Sequence, residues 1–269
     1  MHKVALELGP LTIHWYGVFV GLGCLLGLWS AAQRGLREGI AREQTYDFCW
    51  WILLGAVLGA RVWYVGSYWH EDFADKSWFA MLNIRQGGLI FYGGVVGSSI
   101  ALILYSILKR QPLWQLADVA APSIALGSAL GRIGCLMTGC CYGSNCSLPW
   151  AIRFPVDHAT HHEPVHPVQI YDSIINLALY LVLEFGVFRR RRFDGQVFVV
   201  WLLVYPFARS LTELFRGDYP HRYLGGSLTP GQAMSLFTVI VGVMLYYFLP
   251  RRLTRRPASP DPETSSPHA

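Results

Sequence analysis

Charged residues are scarce in this sequence. Only 14% of its 269 residues carry a charge, whereas soluble domains usually contain about 25%. The deficit is uneven, because the charges gather between long apolar stretches. Hydrophobic residues make up 53% of the chain and aromatic residues 14%, including 10 Trp, a residue that anchors proteins at the membrane interface. The composition excludes an ordinary soluble domain and predicts several membrane spans joined by loops.

A continuous basic stripe is also missing, although the formal net charge is +5. The basic residues form small clusters at the ends of apolar segments, where they report membrane topology. We therefore expect no nucleic-acid partner. The sequence also shows no internal repeat, no soluble second domain and no pair of matching broken helices, which disfavours a transporter.

Apolar segments near the length of a transmembrane helix, about 20 residues, occur along the whole chain. We predict an all-α, polytopic membrane protein with about seven transmembrane helices. The first segment is too long for a signal peptide. The sixth is short and runs into Arg209, so its helix is expected to continue past the membrane surface. The predicted spans are Ile13–Ala32, Tyr46–Gly66, Gly88–Leu108, Asp118–Met137, Gln169–Phe188, Gln196–Ala208 and Gln232–Leu249.

The two sides of these spans carry unequal numbers of Lys and Arg, and the more basic side stays in the cytoplasm. One side holds Arg34, Arg37, Arg42, Lys109, Arg110, Arg189, Arg190, Arg191, Arg192, Arg251, Arg252, Arg255 and Arg256. The other side holds Lys3, Lys76, Arg85, Arg153, Arg216 and Arg222. We therefore predict that the N-terminus lies outside and the C-terminus in the cytoplasm. Residues 1–250 are expected to form one integral-membrane domain, and residues 251–269 a basic, then Pro/Ser-rich, disordered cytoplasmic tail.

Three arginines, Arg61, Arg132 and Arg209, lie inside or at the edge of predicted spans. A charge in the hydrocarbon core costs about 3 kcal/mol or more, so each is a candidate functional residue. The alternative is an arginine that reaches the interface or pairs with a carboxylate to lock two helices. Arg132 lies between Gly131 and Gly134, and such small neighbours leave room for a ligand.

Tyr205, Arg209 and Glu213 are spaced by four residues, which places them on one helix face, with Arg216 close by. The planar guanidinium group of arginine donates two hydrogen bonds at once to a phosphate. A face of this composition at a membrane surface suits phosphate binding, with the glutamate holding the cations in place.

Four cysteines, Cys135, Cys140, Cys141 and Cys146, fall within twelve residues. Three interpretations stay open: disulfides on an oxidising outer face, reactive thiols, or metal binding with histidines of the following loop. The C-x4-C-C-x4-C spacing is not a standard zinc pattern, and we expect no metal and no cofactor. The loop histidines are His158, His161, His162 and His166.

Together these motifs resemble the prolipoprotein diacylglyceryl transferase family, from His14 to about Val243 and in the family's order. The motifs are His14-Trp15-Tyr16-Gly17, Gly59-Ala60-Arg61-Val62-Trp63-Tyr64, Gly87-Gly88-Leu89-Ile90-Phe91-Tyr92-Gly93-Gly94, Gly131-Arg132-Ile133-Gly134, His166-Pro167-Val168-Gln169-Ile170-Tyr171, Tyr205-Pro206-Phe207-Ala208-Arg209 with Glu213 and Phe215-Arg216, and Gly231-Gln232.

The resemblance implies transfer of the diacylglyceryl group of phosphatidylglycerol to the lipobox cysteine thiol of a secreted precursor. The expected partners are phosphatidylglycerol, such precursors and membrane lipids, and the expected location is the bacterial inner membrane, with the site facing outwards. Arg132 and Arg209 are expected to bind phosphate, with Tyr92 and Glu213 as further catalytic residues. Substrate binding is expected of His14, Tyr16, Arg61, Gly93, Gly94, Gly143, His166, Tyr205 and Arg216.

Three positions differ from the family's usual motifs. Tyr92 stands where a histidine, the favoured candidate for the base, usually precedes the Gly-Gly pair. Cys135 and Cys140 stand where an asparagine and an acidic residue are usual. A phenol with a pKa near 10 is a poor base at neutral pH. Two alternatives therefore stay open: a lipid-handling enzyme with another acceptor, and a non-catalytic phospholipid-binding membrane protein.

Overall fold

Helices make up most of the computed structural model, which describes residues 4–8, 11–74, 78–83, 87–217 and 230–250. The α-helices are α1 (Trp15–Arg37), α2 (Arg42–Ser67), α3 (Phe91–Lys109), α4 (Leu113–Thr138), α5 (Val168–Leu181), α6 (Phe188–Arg190), α7 (Gln196–Glu213) and α8 (Pro230–Phe248). A π-helical stretch, Val182–Val187, joins α5 and α6 into one helix of 23 residues. A π-helical turn (Trp69–Phe73) and a 3-10 helix (Trp78–Leu82) follow α2.

Two short antiparallel sheets, which the sequence analysis did not predict, lie in the connections. Strand β1 (Val4–Leu8) pairs with β2 (Leu11–His14) directly before α1. Strand β3 (Ile152–Arg153) pairs with β4 (Pro164–Val165) in the long loop between α4 and α5. Both hairpins belong to the end of the bundle at which α4 ends and α5 begins.

Each of the seven predicted spans coincides with a helix over most of its length. Six helices of the described chain are long and apolar enough to cross a membrane. Helix α7 is shorter, and it continues past the predicted end at Ala208 to Glu213, as expected. The prediction of an all-α polytopic membrane protein is confirmed. The predicted tail, residues 251–269, lies outside the described residues, as do Lys3, Lys76, Arg85 and Arg222 of the charges counted above.

Large apolar side chains cover the outside of the bundle. Leu25 is 65% exposed, Val62 70% and Phe207 73%. In water a continuous surface of this kind leads to association, whereas in a bilayer it is the surface that contacts the lipid chains. The exposed apolar surface and the apolar helices together identify a multi-pass membrane protein.

Helices α2 and α3 pack through glycines. A Cβ atom at Gly59 would collide with the carbonyl oxygen of Gly93, and one at Gly93 would collide with the carbonyl oxygen of Gly59. Gly94 lies beside the same contact, where a Cβ would lie 3.3 Å from the carbonyl oxygen of Ala56. Association inside a membrane relies on close van der Waals packing, which small residues allow. These glycines therefore set the separation of the two helices.

At the opposite end of the bundle, Arg34 is fully buried in the last turns of α1. Its Nε donates to the carbonyl oxygen of Val119 at 3.0 Å, and its Nη1 pairs with the carboxylate of Glu184. Arg37 donates to the same carboxylate at 3.0 Å. Arg34 was predicted to lie outside the first span, which was expected to end at Ala32. Helix α1 instead continues to Arg37, because these partners bind the guanidinium group of Arg34 inside the bundle.

We expect Gly59→Ala to lower the free energy of unfolding by about 1–3 kcal/mol, because the added methyl group forces the two backbones apart. The measurement is the thermal unfolding midpoint in detergent micelles. Gly66→Ala is the matched control in the same helix, since a Cβ there meets nothing within 4 Å. Equal midpoints for the two variants would contradict the assignment of Gly59 to the helix contact.

Candidate functional site

The ends of three helices bring two arginines and an aspartate together. Arg132 lies in the penultimate turn of α4, Arg209 near the end of α7, and Asp172 in the second turn of α5. These three helices pack against one another. Because α4 and α7 end where α5 begins, all three side chains reach the same end of the bundle.

One carboxylate oxygen lies between the two guanidinium groups. Arg132 Nε is 3.2 Å from Asp172 Oδ2, and Arg209 Nη1 is 3.3 Å from the same oxygen. Asp172 is buried, so water screens these interactions little. The shared carboxylate keeps two like charges side by side.

A second buried carboxylate continues the network. Arg209 Nη2 lies 2.6 Å from Glu213 Oε2, and Arg216 Nη1 lies 3.9 Å from the same oxygen. Glu213 packs closely on Gly231 at the start of α8, where a Cβ would lie 3.2 Å from its Oε1. Three arginines face two carboxylates in this cluster, which leaves an excess positive charge for an anionic ligand.

Arg132 still has donors to offer. It meets Asp172 through Nε, and its two terminal nitrogens make no hydrogen bond or ion pair with the residues that the structure describes. Beside it, a Cβ at Gly131 meets nothing within 4 Å. The guanidinium group therefore keeps its two-pronged edge for a ligand, as bidentate binding of a phosphate requires.

Tyr205 joins this site from the same face of α7 as Arg209. It interacts electrostatically with Arg132, and its ring stacks on Trp201 with the ring centroids 5.3 Å apart. The predicted alignment of Tyr205, Arg209 and Glu213 on one helix face therefore places all three at the arginine cluster.

The loop after α4 is tied to the segment after α7 by backbone hydrogen bonds. Ser144 N donates to Phe215 O at 2.8 Å, and within the loop Gly143 N donates to His166 O at 3.1 Å. A Cβ at Gly143 would lie 2.6 Å from the carbonyl oxygen of His166, so only glycine fits there. The His166 ring packs on Phe215 at 5.1 Å, and its Nδ1 is 3.4 Å from Tyr171 Oη. These contacts hold Arg216 beside the cluster.

Three of the four clustered cysteines meet directly after α4. Gly139, with φ 79°, turns the chain, and Cys140 N donates to Cys135 O at 3.1 Å. The sulfur atoms of Cys135, Cys140 and Cys141 all lie within 4.8 Å of one another, and Cys146 is not part of this group. Hydrogen bonds from the neighbouring thiols of Cys135 and Cys141 lower the pKa of the Cys140 thiol.

The start of α1 packs beside these cysteines. A Cβ at Gly134 would lie 3.2 Å from the ring of Tyr16, and Tyr16 interacts electrostatically with all three thiols and with Arg132. His14 ends β2, opposite Val4, and directly precedes α1. The predicted residue Tyr16 therefore belongs to the surroundings of the arginine cluster.

The other predicted residues have their contacts elsewhere. Arg61 donates to the carbonyl oxygens of Met81 at 2.7 Å and Ala80 at 2.9 Å, and to those of Gly87 and Gly88 at 3.0 Å. It thus holds residues that precede α3, and substrate binding by Arg61 stays a prediction.

Tyr92 lies at the start of α3, where its ring packs against that of Phe91 at 6.0 Å. Gly93 and Gly94 face α2, as described above. Substrate binding by these glycines and catalysis by Tyr92 stay predictions.

The sequence profile of the prolipoprotein diacylglyceryl transferase family matches residues 3–248. This chain belongs to that family. A relative from Bacillus cytotoxicus is 32% identical over 263 residues, which cover 94% of this chain and 93% of its own. One from Trichormus variabilis is 31% identical over 249 residues, 89% of this chain and 86% of its own. One from Bacillus cereus is 34% identical over 251 residues, which cover 91% of this chain and 90% of its own. All three are named phosphatidylglycerol–prolipoprotein diacylglyceryl transferase.

Two residues that organise the site of this diacylglyceryl transferase family member were not among the predicted site residues. Asp172 follows directly on the motif that ends at Tyr171, and Gln169 lies within it. Gln169 is buried and donates to the carbonyl oxygen of Cys140 at 2.8 Å. An aspartate inside an apolar span is itself a signal, because intramembrane carboxylates are as unfavourable as arginines. Among the charged residues within the spans, only the basic ones were predicted to be functional.

We expect Asp172→Asn to destabilise the protein by about 3–5 kcal/mol, because it leaves two buried arginines without their shared counter-charge. Glycerol phosphate added to this variant should raise its thermal unfolding midpoint, since the anion takes the place of the carboxylate. The measurement is a titration of the midpoint against glycerol phosphate in detergent.

Asp118→Asn is the matched control for this rescue. Asp118 is equally buried, lies 3.7 Å from Arg191 and accepts hydrogen bonds from the backbone N–H groups of Gly195 and Phe198 at 2.9 Å. This variant should also lose stability but gain nothing from glycerol phosphate. An equal gain in both variants, or none in Asp172→Asn, would contradict an anion site between Arg132 and Arg209.

Proposed function

We propose that this protein transfers the diacylglyceryl group of phosphatidylglycerol to the cysteine thiol of a prolipoprotein lipobox. The observation that carries the proposal is the pair Arg132 and Arg209 on one buried carboxylate, with two terminal nitrogens of Arg132 that make no hydrogen bond or ion pair within the described residues. Family membership and the names of the relatives point to the same reaction.

The chemistry explains why two fixed arginines are useful. The thiol sulfur attacks the glyceryl carbon that carries the phosphate, the C–O bond breaks, and glycerol phosphate leaves with the bonding electrons. Negative charge therefore grows on the phosphate as the bond breaks. Donors held in place before the reaction stabilise such charge more than mobile donors do. Asp172 and Glu213 hold the arginines in place, because Asp172 binds the guanidinium group of Arg132 and Glu213 binds that of Arg209.

An apolar cleft along α4 suits the acyl chains of the lipid. It lies between α1, α2 and α4, and its lining is almost entirely apolar. Gly127 of this lining is about one helical turn from Gly131, which precedes Arg132. A phospholipid with its phosphate at Arg132 therefore finds room for hydrocarbon farther along α4.

The proposed location is the bacterial inner membrane, with the arginine site on the outer side. This orientation rests on the excess of Lys and Arg at the opposite end of the spans. It also agrees with the chemistry, since an exported precursor presents its lipobox at the outer surface.

A chain that carries both Ser147→Cys and Glu43→Cys tests the orientation. Both positions are exposed, Ser147 in the loop after α4 and Glu43 at the start of α2. In intact inner-membrane spheroplasts, a membrane-impermeant maleimide should label position 147 and leave position 43 unlabelled until the membrane is permeabilised. Peptide mass spectrometry locates the label, so that the native cysteines stay in place. The reverse pattern would overturn the proposed orientation.

We expect Arg132→Lys to lower kcat/KM for transfer by about 100-fold or more, because lysine cannot replace the bidentate contact to the phosphate. The assay measures labelled diacylglyceryl groups that pass from phosphatidylglycerol to a lipobox peptide. Arg37→Lys is the control, since Arg37 is half-exposed and binds Glu184 at the opposite end.

The outcomes of this assay separate the proposed function from its alternatives. No transfer by the wild type, with lipid binding retained, would favour a phospholipid-binding protein. Transfer by Tyr92→His alone would mean that the scaffold is competent but that its natural acceptor is different. Equal rates for wild type and Arg132→Lys would contradict the role of Arg132 in phosphate binding.

A further inference from the structure

The three sulfur atoms of Cys135, Cys140 and Cys141 form a compact triangle, each within 4.8 Å of the others. A tetrahedral zinc ion with Zn–S bonds of about 2.3 Å separates its sulfur ligands by about 3.8 Å. The observed triangle therefore needs only a small contraction to hold a metal ion. It lies beside Arg132, which interacts electrostatically with Cys135 and Cys141.

The backbone around this triangle is built to bring the sulfurs together. Gly139 and Cys141 both adopt positive φ, 79° and 61° respectively. Glycine adopts this conformation freely, but a cysteine does so at a cost of about 1–3 kcal/mol. The two turns return the chain towards the end of α4, so that Cys140 and Cys141 meet Cys135. Strain of this kind persists where the surrounding structure enforces it, and it occurs most often at functional sites.

Neither a disulfide nor a metal site completed by a loop histidine accounts for this arrangement of three thiols. A disulfide joins two sulfurs and leaves the third without a role, and all six cysteines are free in this structure. The loop histidine that contacts Gly139 is already engaged: His158 Nε2 lies 2.8 Å from Gly139 O, and its Nδ1 lies 3.0 Å from Thr160 Oγ1. In the described parts of the chain, no histidine or carboxylate completes the group. The triangle thus offers three ligands and an open fourth position.

We propose that Cys135, Cys140 and Cys141 bind one zinc ion, and that the lipobox thiol of the substrate takes the fourth coordination position. This inference rests on the proposed transferase function. Three protein ligands with one open position are typical of catalytic zinc sites, whereas structural sites are closed by a fourth protein ligand.

Zinc binding accounts for the absence of the usual histidine. A thiol that coordinates zinc loses its proton at neutral pH, so no protein base is needed, and Tyr92 can occupy the position of that base. The proton passes to solvent when the thiol binds. The sulfur then attacks the glyceryl carbon, an S–C bond forms, and the electron pair of the broken C–O bond stays on the departing phosphate. The zinc ion is unchanged at the end of the reaction.

The charges of the two sites fit this arrangement. Three thiolates and one substrate thiolate give a complex with zinc a net charge of about −2, and such a charge requires nearby cations. Arg132 lies close enough to provide one. The same arginine binds the phosphate, so the nucleophile and the phosphate of the lipid are held close together at one site.

The first test measures metal in the full-length protein, purified in detergent without a polyhistidine tag. Elemental analysis should find about one zinc ion per chain in the wild type. Cys135→Ser, Cys140→Ser and Cys141→Ser should each reduce the zinc content about tenfold. Cys146→Ser is the matched control, since this cysteine follows in the same loop but lies outside the triangle. Its zinc content should equal that of the wild type.

The second test replaces zinc by cobalt(II), whose thiolate charge-transfer absorption reports the number of bound thiolates. A lipobox peptide should increase this absorption, and the same peptide with its cysteine replaced by serine should not. This readout requires no turnover.

Failure of the inference is distinguishable from failure of the proposed function. A wild type that neither contains nor takes up zinc, or variants of the triangle that keep it, would overturn the metal site. Cobalt absorption that ignores the cysteine peptide would overturn the fourth ligand. Full transfer activity in Cys140→Ser would overturn the inference and leave the proposed function intact. Zinc and peptide binding without any transfer would overturn the proposed function and leave the metal site intact.

Discussion

Everything at this site depends on the interaction of the buried Asp172 carboxylate with two guanidinium groups. Arg132 and Arg209 come from different helices, and without a shared counter-charge their repulsion in a medium of low dielectric would separate α4 from α7. With both arginines within 3.3 Å of one oxygen, the helix ends stay together and the charges keep a fixed position. Glu213 extends the same arrangement towards Arg216. The loop that carries Gly143 and His166 is attached by hydrogen bonds to the segment next to Arg216.

Comparison of the two ends of the bundle explains what distinguishes a binding arginine from a structural one. Arg34 uses its nitrogens on Val119 O, on the hydroxyl groups of Ser30 and Ser123, and on the Glu184 carboxylate. Four of its five N–H groups have partners, and the residue is fully buried, so that a ligand has no access to it. Among the residues that the structure describes, Arg132 uses only Nε, on Asp172. Both are intramembrane arginines with a carboxylate partner, but the two terminal nitrogens of Arg132 remain for a ligand.

Hydropathy alone predicted the helices, because the cost of burying polar groups in a bilayer dominates every other local preference. The same cost pointed to Arg132 and Arg209, and helical periodicity placed Tyr205 and Glu213 beside them. The hydrogen bonds of Arg61 did not follow from sequence, since its four carbonyl partners come from residues whose positions depend on the tertiary fold. Likewise, the left-handed backbone at Cys141 depends on tertiary contacts, so the spacing of the cysteines did not predict that three sulfurs meet.

Backbone-to-backbone contact between α2 and α3 restricts the evolutionary freedom of this pair of helices. At Gly59 and Gly93 any side chain meets a carbonyl group of the facing helix, so compensating changes in a neighbouring side chain cannot make room for it. Positions such as Leu25 and Val62, which face the lipid chains, can exchange with other apolar residues at little cost. Substitutions in this protein are therefore expected to accumulate on its lipid-facing surface, while the contact between the two helices keeps its glycines.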